Sequence, residues 1–555
     1  MSRGAPSRTR ARRSAPAPGR RSSHRRTFAS LLLAGLLAAL PPAAAGQPPP
    51  FPSPVPGEGL DLLEAVRLAL GEDPNITVAE TRLQAARGFL LATSGAFDPL
   101  LSSGVGRDED RTPLAAGRAR QTRLLSSDVG FDWLLRTGLS VEPRVSLTRS
   151  EEPTAGPGAA NLGTLEITFR QPLLQGRGRT VVTAGERAAE REVAASSFDL
   201  RQTTAQRVLV VASQYWLTRA ALLNLEILRQ SEASSRELLE TTRRLIAADV
   251  TPAAELVQLE ANLAAKESSR IAGERQLFES RQTLGREIGV APERIAGLPF
   301  PATPFPGLAP AQVPAPATAG RLVAEALARR DDLAAAHERR AALEVLLRVA
   351  ADALKPRLDL VVTPSYTGRV DDTGAGSYFS SLYRQIPGLS SNVGLRISWP
   401  TANRAARGEL EQRTAARRES ELFIELIGNA VGADVPAALD AVARDALQVA
   451  KAGEAVVLFE RAVINEEKKL RAGSSTLLDV ISQRDRLTAA RQTAVSAQLA
   501  LALALLELRF QTGTLLATGG EGAAAGASVT LESLTTVPAA GAGLQRNALP
   551  EGTRP

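Results

Sequence analysis

Residues 181–247 contain no proline and no cluster of turn-forming residues, so they read as one α-helix roughly 100 Å long at about 1.5 Å per residue. No compact domain contains an element of that length. A partner helix over 251–288 carries the chain back, and the reversal lies in residues 246–263, IAADVTPAAELVQLEANL. There Asp249 and Val250 lead to Thr251 in a cap position, Pro252 is pre-set for the first helical turn, and Glu255 follows. The arrangement occurs twice. Residues 470–487, LRAGSSTLLDVISQRDRL, reverse the chain between helices expected over 408–471 and 476–511. After Ala472, Gly473 can take the left-handed conformation that ends a helix; beyond Ser474, Ser475 or Thr476 can cap the next one. Asp479 then falls in the first turn, where the helix dipole favours an acid. Gly428, Gly432 and Pro436 predict a kink or break in the 408–471 helix.

Two tips imply an internal repeat. The helix pairs over 60–99 and 322–356 align at one offset of 257, with Leu70 on Leu327, Ile76 on Leu333 and Pro99 on Pro356. After each pair the apolar period changes from helical spacing to two. Leu139, Val141, Val145 and Leu147 alternate with polar neighbours, as do Leu165, Ile167 and Phe169; Leu358 and Leu360 begin a strand in the second half, and Val393, Leu395, Ile397 and Trp399 form another. Pro172 matches Pro400 at an offset of 228, so the first β insertion is 29 residues longer. That length suffices for one more hairpin, with residues 128–133 as its first strand and Arg136, Thr137 and Gly138 as the turn. Tyr366, Tyr378, Tyr383, Trp133 and Trp399 lie in or beside the insertions, a concentration that favours aromatic girdles at membrane interfaces.

Charge and composition narrow the partners. Nine of the 66 basic residues are arginines ahead of Thr27, where no acid occurs, and the remaining 57 face 59 acidic residues, a net charge of −2. The strongly basic balance therefore belongs to a leader and argues for no nucleic-acid partner. Residues 28–40 are apolar over about half the length of a membrane-spanning helix, and Ala43, Ala44 and Ala45 offer small residues for cleavage, so residues 1–46 read as an export signal. Residues 24–28, HRRTF, resemble a twin-arginine motif, though an arginine-rich start alone would also serve export. The chain has no cysteine, which excludes disulfides, thiolate metal sites and a lipid-attachment cysteine. Residues 47–58 read as a proline-rich arm, 59–290 as the first repeat, 291–319 as a proline-rich linker, 320–516 as the second repeat and 517–555 as a disordered tail. The apolar run 494–506 is too short to span a bilayer and reads as a buried helix face. No Gly-rich phosphate loop follows a strand, and His337 is the one histidine past the leader, among Glu338, Arg339 and Arg340 on a helix; no catalytic site, metal site or cofactor is indicated.

Several stretches together resemble the TolC-like outer-membrane efflux proteins: ALGEDP (69–74) with its echo ALARRDDL (326–333), FRQPLLQGRG (169–178), and the tips DVTPAAELVQLEANL and AGSSTLLDVISQRDRL. The match covers about residues 58–516. The resemblance implies an α+β membrane protein of two tandem structural repeats. Its long α-helical hairpins would form a periplasmic α-barrel, and about four strands per protomer would enter a twelve-stranded transmembrane β-barrel in the outer membrane. It implies a passive trimeric exit duct rather than an enzyme, docking to a periplasmic adaptor at the tips and driven by an inner-membrane transporter, in drug efflux or type I secretion. Physical chemistry agrees, because four strands cannot close a barrel alone and an open sheet edge in lipid leaves backbone groups unpaired. By the resemblance Asp479 lies in an acidic ring at the periplasmic aperture; Ser482 stands at the next ring position in place of a second acid, and Glu255 is the counterpart in the first tip. A structural periplasmic coiled-coil protein of the adaptor kind would also have a leader and long helices, but not strands with alternating faces.

Overall fold

The structure, a computed structural model, describes residues 59–113, 119–153, 158–247, 255–383, 388–472, 474–516 and 529–538. The expected leader, the whole of the proline-rich arm, and the tip residues Asp249, Val250, Thr251, Pro252 and Gly473 lie outside them. The first half runs α1 (Leu62–Glu72), α2 (Pro74–Ser94), β1 (Leu100–Pro113), β2 (Ala119–Leu134), β3 (Ser140–Glu151), β4 (Ala159–Pro172), α3 (Arg179–Val182), α4 (Ala184–Ala247) and α5 (Glu255–Ile288). A short α6 (Pro292–Ile295) lies in the connection. The second half runs α7 (Ala319–Arg329), α8 (Asp331–Asp352), β5 (Arg357–Asp371), α9 (Ala375–Ser380), β6 (Gly388–Ser398), α10 (Arg404–Arg471) and α11 (Leu477–Gln511), followed by α12 (Leu531–Thr535).

Local chemistry sets the joints. Asp73 ends α1, and its carboxylate accepts from the Asn75 amide at 2.7 Å to cap α2, with Pro74 in the first helical position. Helix α10 is continuous through Gly428, Gly432 and Pro436, so the expected break is absent. Packing overrides the local preference: Val431, Val435, Leu439 and Val442, on both sides of the proline, are buried in one core.

That core and a second one lie midway along the long helices. In the first, Leu62, Ala65, Val66 and Ala69 of α1 pack on Val208, Val211, Tyr215 and Trp216 of α4 and on Leu284 and Ile288 of α5. In the other, Leu322 and Ala326 of α7 pack on α10 in the corresponding place. Helix α11 serves both, with Ala502 and Leu506 in the first and Leu501, Leu505 and Leu508 in the second. By length and composition alone α4, α10 and α11 each hold a window apolar enough to cross a membrane. In α11 the apolar run instead fills the two cores. The linker is pinned: Phe305 stacks on Trp216, and Leu60 makes a parallel bridge with Pro301. Part of the expected tail also docks. Leu534 of α12 is fully buried in the first core, and Arg509 donates to the Thr536 carbonyl at 2.8 Å.

The six strands of the described residues form one antiparallel sheet in chain order, β1 to β6. The expectation of about four strands is therefore corrected. The 29 extra residues of the first insertion enter the sheet as strands because their apolar residues fall in register with those of β4 and β5.

Ion pairs fasten α8 to α4: Arg201 with Asp331 at 3.4 Å, Arg191 with Glu338 at 3.0 Å, and Arg339 with Asp199. Burial pushes the Asp331 carboxyl up to about 6, against the opposing pull of Arg201. A carboxyl raised in the fold binds its proton more tightly there than in the unfolded chain, so its contribution is complete below its ordinary value near 4 and is lost as pH rises through about 6. Asp331→Asn is accordingly expected to raise the melting temperature at pH 8 and to give a smaller gain at pH 4.5. A gap that stays constant across that range would show that Asp331 does not titrate there.

Candidate functional site

The second tip is built by its caps. The Ala472 amide donates to the Lys468 carbonyl at 3.1 Å and the Ser474 amide to the Lys469 carbonyl at 2.9 Å, closing α10. Thr476 caps α11: its hydroxyl accepts from the Asp479 amide at 3.2 Å, while the Asp479 carboxylate accepts from the Thr476 amide at 3.1 Å and hydroxyl at 2.6 Å. Those hydrogen bonds hold the exposed Asp479 carboxyl below the usual carboxylate range. Ser475 donates to Glu466 at 2.5 Å, and that bond lowers the Glu466 carboxyl in turn. Two acids and two hydroxyls therefore meet at one end of the hairpin. Ser482 sits half-buried on the next turn of α11, and Glu255 opens α5.

Behind the tip lies a polar network that composition and motifs do not reveal. Arg484 of α11 donates to the Ser234 carbonyl at 3.1 Å and hydroxyl at 2.8 Å on α4, and to Glu467 on α10 at 2.6 Å. Its neighbour Asp485 pairs with Lys266 of α5 at 2.5 Å. Two turns further on, Arg491 pairs with Glu460 at 2.8 Å. All four long helices are joined within two turns of α11. Apolar support nearby is a small cluster of Leu239, Leu259 and Ile481. The residues stand in the tip motif itself, where Arg484 and Asp485 follow Ser482, but only the first-turn acid has a local capping pattern to mark it.

The sheet has two chemically distinct faces. Directly paired residues share a face, and the row Trp133, Val141, Phe169, Val362 and Val393 runs apolar across five strands. So does Val129, Val145, Leu165, Tyr366 and Leu389. The opposite face carries Gly130, Arg144 and Glu166 in one row and Asp128, Ser146, Thr164 and Thr367 in another. Along β6 the apolar face extends from Leu389 to Trp399, about 33 Å of strand, or about 25 Å of bilayer at a 40° tilt. Aromatics mark its ends: Trp133 and Trp399 toward the helices, and Phe379 and Tyr383 at the far end, the last two and Trp399 at least 60% exposed. His337 lies exposed on α8, and the described residues contain no cluster of metal-ligating side chains.

No protein-family model matches the chain. Two relatives are named as pyoverdine export outer membrane protein OpmQ. That of Pseudomonas aeruginosa is 27% identical over 57% of this chain and 63% of its own length; that of Pseudomonas putida is 30% identical over 42% and 48%. The chain thus spans less than two thirds of the curated relatives it matches. Among solved structures, the Campylobacter jejuni outer membrane channel CmeC aligns over 82% of this chain and 85% of its own, with a TM-score of 0.59 at 14% identity. The Vibrio cholerae outer membrane protein VceC aligns over 81% and 96%, with a TM-score of 0.58 at 18% identity. Its fold is that of the TolC-like outer-membrane channels. In this TolC-like chain the capped tip and the two-faced sheet stand at opposite ends of the same long helices, and Arg484 ties those helices together beside the tip.

Proposed function

We propose that this chain is the outer-membrane channel of a tripartite efflux pump or type I secretion system, a passive exit duct made of three copies that spans from the outer membrane into the periplasm. The observation that carries the reading is the sheet: one face is apolar over about the thickness of a bilayer, and both edge strands lack a neighbour among the described residues. The helices carry a matching deficit. Leu422, Phe423 and Leu426 of α10, Ile271 and Phe278 of α5 and Phe89 of α2 are all exposed in a single copy, and further copies arranged as a ring would cover them. The tips, at Asp249, Val250, Thr251 and Pro252 and at Ala472, Gly473, Ser474 and Ser475, are the docking points for a periplasmic adaptor, and an inner-membrane transporter supplies the energy. No cofactor takes part. Purified mature protein in planar bilayers should form trimeric, heat-sensitive pores; a stable monomer without conductance would sink the proposal.

Asp479, Glu255 and Ser482 line the aperture in this reading. Three Asp479 carboxylates in a narrow mouth favour cations, whereas the capping box would hold the residue in place with no role in conduction. Asn separates the two, because it keeps a side-chain oxygen for the cap and carries no charge. Asp479→Asn is expected to lower cation preference markedly with the trimer intact. Reversal potentials in asymmetric salt measure it, and unchanged selectivity would rule out the ring.

A further inference from the structure

We infer that the ring closes on eighteen strands, and that its exit is therefore about half again as wide as a twelve-stranded one, admitting large hydrophilic solutes; this rests on the channel reading above. The repeat identifies which strands are additional. The offset of 257 places β1 on β5 and the offset of 228 places β4 on β6, so the hairpin β2–β3 has no counterpart in the second half. It lies between β1 and β4, inside the sheet and not above it.

Three independent contacts build it in. At its helix-side turn, Arg136 donates to both carboxylate oxygens of Glu186 on α4 at 2.8 and 3.1 Å. Gly138, at φ +94°, fits there because a side chain would meet Val182 and the Gly176 carbonyl. At the far end, the second half reaches over: Tyr378 of α9 donates to the Leu147 carbonyl at 3.1 Å and lies 2.7 Å from the Ser127 hydroxyl, and Arg149 donates to the Thr373 carbonyl at 2.8 Å. Gly163 of β4 is what lets α9 approach, since a Cβ there would stand 2.8 Å from Ser381 Oγ and the Leu382 amide. Between the ends, the apolar residues of β2 and β3 fall on the same rows as those of β4 and β5.

Closure then follows from the edges. On the interior strands Val129, Trp133 and Leu165 are 44–47% exposed, but Val105 on β1 and Leu389 on β6 reach 79% and 84%, because each lacks a neighbouring strand on one side. β1 rises from the helices and β6 returns to them, so β6 of one copy and β1 of the next run antiparallel, as a seam requires. Barrel diameter grows roughly linearly with strand number, which gives a factor of about 1.5, and barrels of about 16–18 strands leave an aqueous channel. The polar face leaves room for one, because Gly104, Gly106, Ser126, Gly130, Ser146 and Thr164 are small beside the longer Asp128, Arg144 and Glu166.

The chain has no cysteine, so introduced pairs report cleanly. Ser146→Cys with Thr164→Cys joins β3 to β4 as paired here and should crosslink nearly completely on oxidation. Val105→Cys with Leu165→Cys stands where Val362 and Val393 pair in the second half, and should crosslink only if β1 abuts β4 in a four-stranded arrangement. The expected result is the first crosslink without the second, together with an exit mouth that admits polymers about 1.5 times wider than a twelve-stranded barrel does, measured by adding poly(ethylene glycol) from the strand side. A conducting trimer with the reverse crosslink pattern would overturn the strand count and leave the channel reading intact. A non-conducting monomer would overturn the channel reading whichever pair crosslinks.

Discussion

On the channel function proposed for this chain, Arg484→Ala is expected to raise the conductance of the reconstituted protein and to shift it toward long open events. Arg484 holds α11 to both α4 and α10, through the Ser234 carbonyl and hydroxyl and through Glu467. Its partners belong to different hairpins, so the residue fixes how the second hairpin sits against the first. Partly exposed ion pairs contribute little singly, about 0–1 kcal/mol. Several hydrogen bonds converging on one guanidinium are worth more, at about 1.5–3 kcal/mol for a charged donor. If they form only in the narrow arrangement, losing about 1.4 kcal/mol shifts the ratio of wide to narrow states about tenfold in each copy. Arg484→Lys keeps the charge but not the fork and should fall between. Lys266→Ala removes the neighbouring pair with Asp485 and should add to the effect. The two cores lie far along the helices, so the melting temperature should move little. A lowered melting temperature with unchanged conductance would mean that the network only holds the helices together.

How far the sequence shows this arrangement differs between helix and strand. The long helices are legible almost to their ends because proline-free runs, Thr476 and Asp479 act locally, and the structure starts α11 one residue after the cap. The break expected in α10 does not occur for the opposite reason: Pro436 is a local signal, and the burial of Val431 and Val435 that keeps the helix continuous is not. Strands β3, β4 and β6 alternate clearly. β1 does not, since Ser102, Ser103, Gly104 and the acidic run Asp108, Glu109 and Asp110 leave only Leu101 and Val105 to mark an apolar face. Its register comes from β2, a pairing no single-strand pattern contains. Composition separates the linker and tail from the repeats, but it cannot show that Phe305 meets Trp216 or that Leu534 fills a gap beside α11. At the tip the capping role of Asp479 is legible for the same local reason, whereas Arg484 acts on partners 17 and 250 residues away.

Trp216→Ala should destabilise the fold far more than any change at the tip. Trp216 is fully buried where α1, α4 and the linker meet, stacked on Phe305 with ring centroids 5.2 Å apart and set edge-on to Tyr215 at 5.3 Å. Truncation removes that area and leaves a cavity that the long helices cannot close, because α4 is held along its length by α1, α5, α8 and α11. A loss of about 3–5 kcal/mol is expected, a large part of the stability of an ordinary domain. Tyr215 alone cannot compensate: its hydroxyl is committed to the Leu60 carbonyl at 2.7 Å and to Thr303. Trp216→Phe provides the control. The indole N–H has no hydrogen-bond partner among the described residues, so replacing it removes an unsatisfied donor while keeping an aromatic face for Phe305. The two terms oppose, and Trp216→Phe should stay within about 1.5 kcal/mol of wild type. Urea titration of the detergent-solubilised protein measures both. If the two variants lose the same amount, the hydrogen-bonding state of the indole rather than its volume would be the source of stability, and the packing of α1 and the linker on α4 would need a different explanation.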